Sequence, residues 1–111
     1  MAKFHERFDV LLTPSMSTPP LPLTAFDYSE RGADNFIDQF WTVAAFMPLA
    51  NASGQPAMTL PLYWNAEGLP VGSQFMARYG AEDLLIQLAG QIERAVPWFH
   101  QVPSFAAAAS S

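Results

Sequence analysis

The chain has 111 residues, of which 50% are hydrophobic, 14% aromatic and only 14% charged. This composition excludes a disordered chain, which would be rich in charge and poor in apolar side chains. Ten acidic and five basic residues give a net charge of −5, which disfavours nucleic acid and anionic membranes as partners, since both attract lysine and arginine. The absence of cysteine excludes disulfides, a thiolate nucleophile and cysteine-ligated zinc.

The termini carry no targeting signal that we can identify. The N-terminal residues lack the apolar centre of a signal peptide, and no run of about 18 apolar residues could span a bilayer. We therefore expect a cytoplasmic protein. Residues 104–111 consist only of Ser, Phe and Ala, and this low complexity predicts a flexible tail.

The first predicted element is a strand over residues 8–13. A short continuous apolar run that stops at Pro14 is typical of a strand buried on both faces, as in a parallel sheet. Residues 14–22 contain four prolines and predict an extended loop, because proline and the residue before it disfavour helix.

A helix is predicted from about Asp34 to Met47, where apolar side chains recur at helical spacing. Asp34 is a candidate N-cap, and Pro48 is expected to end the regular part. Residues 51–56 combine Asn, Ser, Gly and Pro and predict a turn.

A hairpin and a second helix follow. Apolar residues alternate along 58–64 and 69–77, with 65–68 as the turn between the two strands. Pro61 cannot donate to a ladder, so one side of its strand is expected to be unpaired. A helix is predicted over residues 81–96, with Trp98 and Phe99 folding back against the body. This order predicts an α/β fold with a partial mixed sheet of about three strands and two main helices.

Catalytic and metal-binding patterns are missing. The two histidines, His5 and His100, each lie near a terminus, where side chains are usually solvated or only partly packed. Neither a Gly-x-Ser-x-Gly elbow nor a phosphate-binding glycine loop occurs. Neither histidine has a second ligand at helical spacing, so we expect no metal and no cofactor.

Acidic and aromatic clusters each allow two interpretations. The acids at Asp34 and Asp38 and at Glu82 and Asp83 could act as paired carboxylates, but acids at the start of a helix usually complement its dipole. An aromatic set could line an acyl or ring pocket, although amphipathic helices more often bury such faces in a core. Its members are Phe36, Phe40, Trp41 and Phe46.

Four blocks of sequence together form a pattern specific enough to compare with known families. They are Phe8-Asp-Val-Leu-Leu-Thr-Pro14, Asn51-Ala-Ser-Gly-Gln-Pro-Ala-Met-Thr-Leu-Pro61, Gly68-Leu-Pro-Val-Gly-Ser-Gln74, and Gly80-Ala-Glu-Asp-Leu-Leu85 with Ala95-Val-Pro-Trp98. In this order and spacing, from about Arg7 to Pro103, they resemble the C-terminal end of an amidase signature family enzyme. Within the family, Pro48-Leu-Ala-Asn51 and Glu82-Asp-Leu-Leu85 most resemble bacterial amidases of the 6-aminohexanoate-cyclic-dimer hydrolase type.

The resemblance implies a longer protein with an α/β/α sandwich, of which residues 1–103 would be the C-terminal part. Members cleave amide bonds with a Ser–cis-Ser–Lys triad and a glycine-rich loop that supplies oxyanion donors. This chain has a single lysine, Lys3, and its only adjacent serines are Ser110 and Ser111 in the tail. We therefore expect a truncated hydrolase that has no catalytic residues of its own and is inactive alone.

The resemblance also assigns roles by position. The helix before the second block contributes to the acyl-binding region in the family, which implies substrate-pocket roles for Trp41, Ala44, Ala45 and Pro48. The block itself is expected to be structural: side chains bond turn backbone, a glycine takes a conformation that other residues avoid, and a proline starts a strand. These residues are Asn51, Ser53, Gly54 and Pro56.

A thin sheet with apolar surface needs a partner. We expect either the missing N-terminal part of the amidase, which would act on a small amide substrate, or self-association into a dimer or higher oligomer. A stand-alone binding or assembly module derived from an amidase C-terminus is the alternative. A third possibility is a parent that was a subunit of a glutamine-dependent tRNA amidotransferase.

Overall fold

The computed structural model describes residues 1–25 and 28–102, so the predicted tail at 104–111 lies outside the described residues. The described part contains helices and strands in alternation, which confirms the α/β class. In chain order they are α1 (Ala2–His5), β1 (Val10–Pro14), a 3-10 turn (Leu23–Ala25), α2 (Tyr28–Val43), α3 (Met47–Ser53), β2 (Ala57–Trp64), β3 (Pro70–Ala77) and α4 (Glu82–Ala95).

The three strands form one sheet in the order β1-β3-β2. β2 and β3 form the predicted hairpin, with Met58 opposite Phe75. Its turn is closed by Asn65, whose side-chain oxygen accepts hydrogen bonds from the backbone N–H of Glu67 at 3.1 Å and of Leu69 at 2.8 Å. β2 lies at one edge of this sheet, as Pro61 predicted, and its register shifts between Pro61 and Tyr63.

The environment of β1 differs from the prediction of a strand buried on both faces in a parallel sheet. β1 pairs with β3 in antiparallel orientation, and the side chain of Leu12 is 60% exposed. Both pairings among the described strands are antiparallel, so a parallel pair of the expected mixed sheet is not found in this part of the chain. The apolar run does form a strand, but β1 lies at the other edge and only β3 flanks it.

The helix predicted from about Asp34 to Met47 corresponds to α2, which both begins and ends earlier than predicted. α2 begins at Tyr28, continues through a kink at Gly32 (φ 72°, ψ 169°) and ends at Val43 rather than Met47. Pro48 does not stop a helix but lies in the first turn of α3, where its missing N–H costs nothing. Residues 51–53, predicted as part of a turn, therefore belong to α3.

The core lies between one face of the sheet and α4. Leu60, Phe75 and Ala77 of the sheet are buried against Ala81 and Leu85. The predicted last helix is thus confirmed to within a residue or two at each end. Trp98 packs against this core as expected, but Phe99 is 87% exposed. The reason is that Phe99 lies in a turn after Pro97, where consecutive side chains diverge.

Candidate functional site

The loop that follows β1 is fixed to the sheet at one point. The backbone N–H and the hydroxyl of Ser15 both donate to the carbonyl oxygen of Gly72, each at 3.0 Å. A Cβ atom at residue 72 would lie 2.6 Å from the Cγ2 atom of Thr59 and would also collide with the Ser15 side chain. Only glycine at this position lets the loop approach the sheet so closely.

The same loop also holds the end of α2. The N–H of Ser17 donates to the Val43 carbonyl at 3.0 Å, and its single hydroxyl proton is shared between the carbonyls of Thr42 and, at 3.1 Å, Val43. The last carbonyls of a helix have no partner within the helix, so Ser17 satisfies two of them. Ser15 and Ser17 together fix the C-terminal end of α2 relative to the sheet.

Two grooves flank this loop, and Thr18 lines both. One groove, of about 280 Å³, lies on the sheet side against Thr59, Pro61 and Val71. The other, of about 290 Å³, lies against α2 at Asp38 and Thr42. The Thr18 Oγ1 atom is buried and has no hydrogen-bond partner among residues 1–25 and 28–102. An unsatisfied buried hydroxyl is costly, so a polar group that reached Thr18 from either groove would be stabilised there.

The four predicted pocket residues do not share one continuous helix. Trp41 lies on α2 and is 53% exposed, whereas Ala44 follows α2 and is only 2% exposed. Ala45 is exposed in the turn between α2 and α3, and Pro48 is half-buried on α3. The structure thus leaves Trp41 and Ala45 at the surface and takes Ala44 into the interior.

The aromatic side chains of α2 form a ladder along its surface. The Phe36 and Phe40 rings stack with centroids 6.2 Å apart, and the Phe40 and Trp41 rings meet edge to face at 5.8 Å. Phe40 and Trp41 are both large and exposed, so of the two interpretations of this set, burial in a core does not apply to these two in the described structure. Phe46 is half-buried in the turn that follows.

The predicted structural block is divided between α3 and the start of β2. Asn51 is exposed on α3. The Ser53 hydroxyl donates to the Leu49 carbonyl one turn back, at 2.7 Å, so it bonds helix backbone rather than turn backbone. Gly54 ends α3 in a left-handed conformation with φ 67°. Pro56 directly precedes β2, and its carbonyl accepts from the N–H of Ala77 at 3.1 Å.

A third groove, of about 420 Å³, brings a serine, a carboxylate and an imidazole to one surface: Ser53, Glu6 and His5. A nucleophile needs a base within hydrogen-bond reach. Here the serine hydroxyl donates to Leu49, and His5 Nδ1 bonds the Phe8 carbonyl at 3.1 Å. No hydrogen bond joins serine to imidazole among the described residues, so this groove holds no assembled catalytic pair.

The remaining candidates stay apart. His100 is exposed, and its ring contacts the side chain of its neighbour Gln101 at 3.5 Å. Within residues 1–25 and 28–102, no three His, Asp or Glu side chains gather where they could hold a metal ion. No helix in this described part is both long and apolar enough to cross a membrane.

The sequence did not single out Ser15, Ser17 or Thr18. A local signal exists, because hydroxyl residues between prolines often bond nearby backbone. Their actual partners are distant in sequence, at Gly72 and Val43, and no local pattern specifies such pairs.

The amidase family model matches residues 1–86. "Putative amidase AmiC" of Mycobacterium leprae is 42% identical over 100 residues, which are 87% of this chain and 20% of that protein. The 6-aminohexanoate-cyclic-dimer hydrolase of Paenarthrobacter ureafaciens is 39% identical over 101 residues, which are 86% of this chain and 20% of that protein.

Solved structures agree with these sequence matches. A structure of 6-aminohexanoate cyclic dimer hydrolase superposes with a TM-score of 0.78 at 32% identity, over 87% of this chain and 21% of that one. The same hydrolase complexed with substrate gives a TM-score of 0.69 at 35% identity. The chain spans about one fifth of the length of the curated relatives it matches. Sequence and fold together confirm the resemblance: the chain belongs to the amidase family.

Proposed function

We propose that this chain is the C-terminal segment of an amidase that hydrolyses carbon–nitrogen amide bonds, and that it completes the sheet and one wall of the substrate pocket. The observation that carries the proposal is the match of nearly the whole chain to about one fifth of a 6-aminohexanoate cyclic dimer hydrolase. A segment of that size supplies part of an enzyme, and the remainder would supply the Ser–cis-Ser–Lys triad that the family resemblance implies.

The chemistry of the chain supports an absence of activity in isolation. Amide hydrolysis by acyl transfer needs an activated nucleophile and oxyanion donors. The hydroxyls of Ser15, Ser17 and Ser53 all donate to backbone carbonyls. Their protons are therefore held by the fold and not by a base.

The pocket role rests on the surface of α2. Phe40 and Trp41 present an aromatic face that the described residues leave open, and pockets for small ligands are mostly apolar with a few polar groups. The family resemblance assigns Trp41 of this face, with Ala44, Ala45 and Pro48, to the acyl region. The Thr18 hydroxyl, with Asp38 and Thr42, would supply polar groups to the groove beside α2.

The test is a chimera in which residues 1–102 replace the matching segment of the Paenarthrobacter hydrolase. We expect the chimera to hydrolyse the 6-aminohexanoate cyclic dimer and the chain alone to show no turnover. The control is the hydrolase with the segment deleted, which should be inactive. Turnover by the isolated chain that is lost in Ser53→Ala or Ser73→Ala would contradict the proposal.

The pocket wall is tested in the same chimera. Trp41→Ala should raise KM several-fold because it removes apolar contact area with the substrate. Ile86→Ala removes a side chain that is also largely exposed, on α4, and should leave KM unchanged. Equal KM values for the two variants would show that Trp41 does not line the substrate pocket.

A further inference from the structure

Backbone geometry determines which groups of β1 face its free edge. In an antiparallel pair, opposite residues alternate between exchanging hydrogen bonds and pointing their N–H and C=O groups away. The bond from Ser15 N–H to the Gly72 carbonyl makes residues 15 and 72 a bonded pair. Counting back in the observed register, Thr13 and Leu11 bond to β3. Val10 and Leu12 therefore direct their backbone groups outward, as does Pro14, which has no N–H, at the last position of the strand.

The other edge of the sheet is interrupted. The bond from Ala77 N–H to the Pro56 carbonyl makes residues 56 and 77 a bonded pair. Counting along β2 in the observed register, the backbone groups of Ala57, Thr59 and Pro61 point away from β3. Proline has no N–H to offer there, and the register shifts directly after it. A proline and a bulge in mid-strand are devices that natural proteins use to keep an edge unpaired.

The side chains of β1 also fit an interior position. Val10, Leu11 and Leu12 are apolar on both faces of the strand, which is the pattern of a strand covered on both sides. In the described structure Leu12 shares a face with the buried Phe75, yet it is 60% exposed. The apolar side chains of β1 are therefore suited to more packing contacts than the described part of the chain provides.

We propose that β1 is an interior strand of the assembled enzyme, that its free edge pairs with a strand from the remaining part of an amidase-family chain, and that β2 stays the outer edge. The inference rests on the proposed function. Its occupant follows from length, since the chain spans about one fifth of its curated relatives and a partner of the remaining size would supply both the strand and the cover over Leu12.

Hydrogen exchange in the chimera described above tests the pairing directly. The amides of Val10 and Leu12 should exchange at least about 100-fold more slowly than in the free chain at a concentration low enough to keep it monomeric, because opening would require the assembled sheet to separate. The outward amides of Ala57 and Thr59 are the internal control and should exchange equally in both. Equal exchange of Val10 and Leu12 in the two forms would overturn the proposal.

Proline substitutions test the edge independently. Leu12→Pro removes an outward N–H without touching a bond to β3, and should lower the yield of active chimera about tenfold, because the partner carbonyl loses its donor. Leu12→Ala keeps the N–H and serves as the control for side-chain loss. Ala57→Pro makes the matching change on β2 and should leave the yield unchanged. Loss of yield in Ala57→Pro but not in Leu12→Pro would assign the partner to β2 instead.

The two proposals fail in different ways. An inactive chimera with protected Val10 and Leu12 amides would contradict the proposed function and support the edge assignment. An active chimera in which these amides stay unprotected would support the proposed function and contradict the edge assignment.

Discussion

Gly72 shows how a single missing side chain positions a loop. Its carbonyl accepts both hydrogen bonds of Ser15, and the space where a Cβ would lie is filled by Ser15 and Thr59. The contact couples the end of β1 to the centre of β3, so it influences both the register of the sheet and the start of the loop that reaches α2.

Gly72→Ala should destabilise the chain by about 2 kcal/mol, since an added methyl group in a filled space forces its neighbours to shift. Gly90→Ala is the matched control: it lies within α4 and its added Cβ would come no closer than 3.5 Å to Arg94. Alanine is the better helix former, so this variant should gain about 0.5 to 1 kcal/mol. Denaturant unfolding measures both, and equal effects would contradict the close approach at Gly72.

For single residues, the sequence predicts roles that depend on neighbours in the chain but not roles that depend on remote contacts. The left-handed conformation of Gly54 at the end of α3 agrees with the role that the family resemblance implies for it, and glycine commonly takes this conformation just past a helix. The constraint on Gly72 comes from Ser15 and Thr59, which are remote in sequence. Thr18 raises the same difficulty, because its lack of a hydrogen-bond partner in the described part of the chain is a property of the folded state.

Among the elements, α4 has the clearest division between a covered and an open face. Leu85 is buried against the sheet, whereas the adjacent Ile86 is 71% exposed. The helix carries acids in its first turn and Arg94 in its last, as its dipole favours.

Leu85→Ala should cost about 3 kcal/mol of unfolding free energy, because it leaves a cavity beneath the helix. Ile86→Ala, one residue further on, should change stability by less than about 0.5 kcal/mol, as is usual at the surface. Thermal unfolding of the two variants checks this contrast. A similar drop in both would mean that α4 turns a different face to the sheet.

Elements defined by local pattern were predictable, and elements defined by neighbours were not. The hairpin and α4 follow from alternation, helical spacing and turn residues within each segment. The boundary between α2 and α3 was misplaced because a proline fits the first turn of a helix as well as it ends one. The environment of β1 was misjudged because it depends on which strands lie beside it.

At the scale of the whole molecule, the chain is wider than a closed domain. Its radius of gyration is 16.9 Å, against about 13 Å for a compact domain of this length, and it measures 46 × 45 × 21 Å. Large apolar side chains from several elements are exposed, among them Leu12, Trp41 and Ile86. A flat shape with open apolar surface is typical of a part that packs against something larger.

We therefore expect the isolated chain to self-associate. Sedimentation at rising concentration should show a dimer or larger species, because burial of apolar area between copies replaces the missing cover. Leu12→Lys should shift the distribution towards monomer by placing a charge on the open edge strand, and Gln91→Lys, which adds the same charge at an exposed site on α4, should not. A monomer at every concentration would favour the alternative of a stand-alone module.

The pairing of β1 with β3 rather than with β2 has a consequence for biosynthesis. Val10 meets Ala77, so α2, α3 and the whole of β2 are translated before β1 can find its partner, and closing so long a loop is slow. During that interval β1 lacks its β3 neighbour. In the proposed assembly, a strand of the remaining part that is synthesised earlier would pair with β1 first, and the hairpin would add to it last.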